Sequence, residues 1–75
     1  MQIRMSLYAL RLESGRCVVC LDIDGVTEPV CIVDEQRAAG AGVGIRDDPV
    51  QAQRMAEALA RRDAQEAIDA ARGRT

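Results

Sequence analysis

The chain has 75 residues and a net charge of −2, from twelve acids and ten bases, and Tyr8 is its single aromatic residue. A chain of this length makes one domain and buries only about 60–65% of the surface that its unfolded form exposes. All ten bases are Arg, with neither Lys nor His. No segment is strongly basic, which argues against a dedicated nucleic-acid binder. The usual general base at neutral pH and the usual Schiff-base amine are both missing.

Residues 3–13 read as a strand, Ser14-Gly15 as a two-residue hairpin turn, and residues 16–24 as a second strand. That turn predicts Leu12 opposite Cys17, Leu10 opposite Val19 and Tyr8 opposite Leu21. Because side chains alternate along a strand, one face then gathers Tyr8, Leu10, Leu12, Cys17, Val19, Leu21 and Ile23. The other carries Met5, Leu7, Ala9, Arg11, Val18, Cys20, Asp22 and Asp24. A four-residue loop over 24–27 would place Val30 opposite Leu21, Ile32 opposite Val19 and Cys31 opposite Cys20. The third strand is expected over 28–34, at a sheet edge because Pro29 has no N–H to donate.

Residues 35–47 form a glycine-rich connection. A helical turn fits near residues 35–39 and a short fourth strand near 43–46. A helix is expected over 49–72. Asp48 suits the N-cap, Pro49 the first helical position and Gln51 the third. Ala52, Met55, Ala56 and Leu59 share one stripe at helical spacing, and Gly73 marks the stop. The fold class is therefore α+β: a three-stranded antiparallel meander with one long C-terminal helix packed on the face of Tyr8, Leu10, Leu12, Val19, Leu21, Val30 and Ile32. Large apolar residues are concentrated in the first part. Residues 1–45 hold seventeen of Ile, Leu, Val, Met and Tyr, and residues 46–75 hold four, so the end of the helix has little to bury.

Chemistry-bearing motifs are few. Cys17 and Cys20 have the C-x-x-C spacing of a metal or redox pair, but on a strand positions i and i+3 point to opposite faces. Three cysteines without His make a poor zinc set, so no metal, cofactor or catalytic residue is expected. Gly40, Gly42 and Gly44 lack the Lys and the strand-to-helix context of a phosphate loop. An odd cysteine count suits reduced thiols, although Cys20 beside Cys31 would allow a disulfide under oxidising conditions. No apolar run is long enough to span a bilayer. Residues 1–12, broken by Arg4 and Arg11, lack the order of a signal peptide, and a cytoplasmic location is expected.

Five acids and no base lie between Arg16 and Arg37. On the expected register Val18, Cys20, Cys31 and Val33 form an apolar centre, rimmed by Asp22, Asp24, Glu28, Asp34 and Glu35. That is the anatomy of a protein interface, suited to a basic protein partner or to a second copy in a homodimer. The order hairpin, third strand, Ala-rich helix, with Ala52, Ala56 and Leu59 on that helix, resembles in outline the small antitoxins of the HicB type. The aromatic-Pro-Asp and Gly-Cys features of that family are absent before the helix. Size, acidity and shape are also similar to phage-encoded inhibitors of host defence, including anti-CRISPR proteins. The expected function is a non-enzymatic protein-binding module, regulatory or inhibitory, of phage or mobile-element type. The alternatives are an antitoxin-like transcriptional module and, third, a small metal-binding protein.

Overall fold

The computed structural model describes residues 2–73. They form β1 (Met5–Arg11), β2 (Arg16–Ile23), β3 (Val26–Asp34), α1 (Glu35–Gly40), β4 (Gly44–Arg46) and α2 (Pro49–Arg72). The sheet order is β3-β2-β1-β4. The first three strands are the expected antiparallel meander, with Pro29 on an edge strand, and β4 adds parallel to β1. Because β3 and β4 lie at opposite edges, the chain between them must cross the sheet. It does so through α1, which packs Ala38 against Ala9 and Cys17. After β4 the chain returns over the other face as α2.

The β1–β2 register differs from the expectation by one residue. Leu10 faces Val18 and Arg11 faces Cys17. The turn is a three-residue loop over 13–15, opened by the Leu12 N–H donating to the Arg16 carbonyl at 2.8 Å. Ser14 (φ 64°) and Gly15 (φ 71°) are both left-handed, which glycine adopts at no steric cost. A slip of one residue sends every side chain of a strand to the other face. Val18 and Cys20 therefore join Tyr8 and Leu10 under α2, while Val19 and Leu21 pass to the α1 face with Ala9 and Leu7.

Between β2 and β3 the loop is instead shorter than expected. Asp24 (φ 52°) and Gly25 (φ 86°) make a two-residue turn that pairs Ile23 with Val26, the geometry that Asp-Gly favours. The register then shifts between Val19 and Cys20, where Pro29 pairs with Cys20 but Cys31 pairs with Val19. The extra residue is a β-bulge at Pro29-Val30. Proline, with no donor, is at home there. Val30 does not sit beside Leu21 beneath the helix as expected, and it is exposed.

Two small cores result. Tyr8, Leu10, Val18 and Cys20 pack with Ala52 on the α2 face, flanked by Leu12 and Met55. Ala9, Cys17 and Ala38 pack on the α1 face, flanked by Val33, Val43 and Ile45. α1 closes on Gly42 (φ 79°), with Gly42 donating to the Ala39 carbonyl and Val43 to the Ala38 carbonyl. This is the Schellman pattern, with Val43 supplying its apolar contact. The expected glycine-rich connection is thus a capped turn of helix leading into β4.

α2 begins as expected. Asp48 accepts from the Gln51 N–H at 3.1 Å. The Gln51 side chain does not fold back on the cap; it donates to the Tyr8 hydroxyl at 3.2 Å. Ala52 and Leu59 are buried, and from Ala60 onward every described residue is exposed. The helix crosses the sheet and leaves it at β3, where Arg62 donates to the carbonyls of Pro29 (2.8 Å) and Val30 (3.1 Å). The projecting arm raises the radius of gyration to 14.1 Å, against about 11 Å for a compact chain of this length. No helix among the described residues is long and apolar enough to cross a membrane.

The observed register makes a prediction that separates it from the alternative. Leu10→Ala should cost about 2–5 kcal/mol through the cavity it leaves, a large share of the stability of so small a domain. Leu21→Ala, at a partly exposed position, should cost less than half as much. Urea denaturation of the two variants measures the difference.

Candidate interaction surface

The strand pairings arrange the α1 face in four rows: Met5, Ile23 and Val26; Leu7, Leu21 and Glu28; Ala9, Val19 and Cys31; Arg11, Cys17 and Val33. α1 covers the last row and part of the third. The first two rows have nothing above them among the described residues. Met5, Leu7 and Val26 are 62%, 51% and 62% exposed, and Ile3 extends the strip at 65%. Leu21 and Ile23 lie half-buried between them. Single exposed apolar residues are ordinary, but a contiguous strip on one sheet face has the character of a binding surface.

The residues expected to form the site are divided by the structure. Val18 and Cys20 are fully buried beneath α2 and cannot meet a partner. Cys31 and Glu28 are exposed on the α1 face, and Val33 is half-buried against α1. Asp22 turns inward to the β2–β3 turn. There it accepts from the Gly25 N–H at 2.9 Å and from the Thr27 hydroxyl at 3.1 Å. Asp24 accepts from the Arg4 N–H at 3.0 Å. Asp34 precedes α1 without a side-chain capping bond. Glu35 accepts from Arg11 at 2.6 Å. The five acids therefore do not make one rim. Two fasten a turn, one is paired with Arg, and Glu28 borders the open strip. Met5 and Leu7 lie on the second face as expected, but their neighbours are Leu21, Ile23 and Val26, not Val18 and Cys20. The signal in the sequence that leads to Val26 is Asp24-Gly25, because a two-residue turn there pairs Val26 with Ile23.

Polar links tie the sheet to the segments packed around it. Gln51, the Tyr8 hydroxyl, Thr27 and Asp22 form a chain, with Tyr8 and Thr27 3.5 Å apart. The Arg46 guanidinium stacks 4.1 Å from the centroid of the Tyr8 ring. Arg11 bridges Glu35 and Asp47, each at 2.6 Å, tying the start of α1 to the segment before α2. These carboxylates hold the Arg11 guanidinium charged, with its pKa above the usual value.

The cysteines lie as their spacing requires: Cys17 on the α1 face and Cys20 on the α2 face, both buried, with all three thiols free. Cys31 is not beside Cys20. The two occupy opposite faces of the sheet, because the bulge pairs Cys31 with Val19. Among the described residues no three His, Cys, Asp or Glu side chains converge on a common point that could hold a metal. Burial pushes the Cys20 thiol up. Cys17 is raised by burial first, with Glu35 and Cys31 adding and Arg11 opposing. Neither thiol is a nucleophile at neutral pH. No family model matches the chain, and no curated protein or solved structure matches it either.

Two outcomes follow for the thiols. An aromatic disulfide reagent at pH 8 should titrate one thiol quickly, Cys31, and the other two only on unfolding; the Cys31→Ser variant should lose the fast phase. Thiols raised by folding contribute stability that is fully present below their unfolded pKa of about 8.5 and lost as pH rises through the folded value. Urea midpoints should therefore fall as pH rises from about 8.5 toward the folded values and level off beyond them.

Proposed function

We propose that the protein is a non-enzymatic protein-binding module, regulatory or inhibitory in kind, which acts by covering a partner's surface with its α1 face. The observation that carries this reading is the open strip of Ile3, Met5, Leu7, Leu21, Ile23 and Val26, contiguous on one sheet face, whereas the other exposed large apolar residues, Val30, Ile32, Val50 and Ile68, lie off it. Glu28 beside the strip and Asp24 at its end give the rim a negative sign. A partner with an apolar centre and Lys or Arg around it fits best. Apolar contacts of this kind govern how long a complex lasts, and rim charges govern how fast it forms.

The test is affinity capture from a lysate of the native host with quantitative mass spectrometry. Wild-type bait should recover a partner that the Leu7→Asp/Val26→Asp bait loses by about tenfold or more, the equivalent of 1.4 kcal/mol. Ile68→Asp, on the exposed arm of α2, should recover it as wild type does. Equal recovery by the strip variant and wild type would sink the reading. Circular dichroism should show all three baits folded, because these side chains are exposed at the outset.

A further inference from the structure

We draw no further inference here: the strongest candidate, the open apolar strip of Ile3, Met5, Leu7, Leu21, Ile23 and Val26 on the α1 face of the sheet, belongs to the surface already described, and nothing in the structure shows what covers it.

Discussion

The loop over residues 13–15 decides what this domain buries. β2 reads Cys17-Val18-Val19-Cys20-Leu21, apolar at every position, so its own pattern accepts either register against β1. The extra residue in the loop resolves the choice. Val18 and Cys20 go beneath α2 with Tyr8 and Leu10, and Cys17 and Val19 go toward α1. The slip also places Ser6 next to Asp22 and lets Arg4 meet Asp24, so polar groups face polar groups while Leu7 faces Leu21. Every later feature inherits this choice, including the position of the open strip and the separation of Cys20 from Cys31.

A continuous apolar run on a central strand is the mark of a strand covered on both faces. Here the second cover is a six-residue helix, too short to reach the far end of the sheet. Its length is set by what it must do, which is to cross from the β3 edge to the β4 edge and turn at Gly42. The first two rows of the α1 face stay open for that reason, and not because their residues are polar. Alanine makes the arrangement possible: Ala38 and Ala52 let the two helices approach the sheet closely enough for small cores to pack, in a chain with one aromatic residue.

Much of the fold was legible in the sequence. The Asp48 cap with Pro49 behind it, the stripe of Ala52, Met55 and Leu59, and the edge position demanded by Pro29 all carry their own mechanism. The helical turn after Asp34 and the short strand near Ile45 were legible as well. The face assignment was not. It depended on whether Ser14-Gly15 turns the chain in two residues or three, and a left-handed serine is not a conformation that sequence pattern selects. The Asp24-Gly25 signal is plain, but the bulge at Pro29-Val30 that follows it is invisible to strict alternation. The candidate surface was legible in its odd β1 residues, Met5 and Leu7. It was illegible in Leu21, Ile23 and Val26, whose face follows from those two turns.

The projecting arm of α2 is the remaining consequence. An isolated helix as short as residues 60–72 is marginal in water, because nucleation costs more than a few added turns return. In this chain the nucleus is supplied by the docked half, where Ala52 and Leu59 are buried and Asp48 caps the first turn. The arm only propagates from it. Arg62 fixes the point of departure by gripping β3. Beyond it Gln65 donates to Asp69 at 3.0 Å, an i,i+4 contact that steadies the exposed turns. Arg62 thus serves two ends with one side chain. It holds the helix on the sheet, and it closes the β3 edge to further strands, so that the open side of the sheet is confined to the β1 edge and the face beside it.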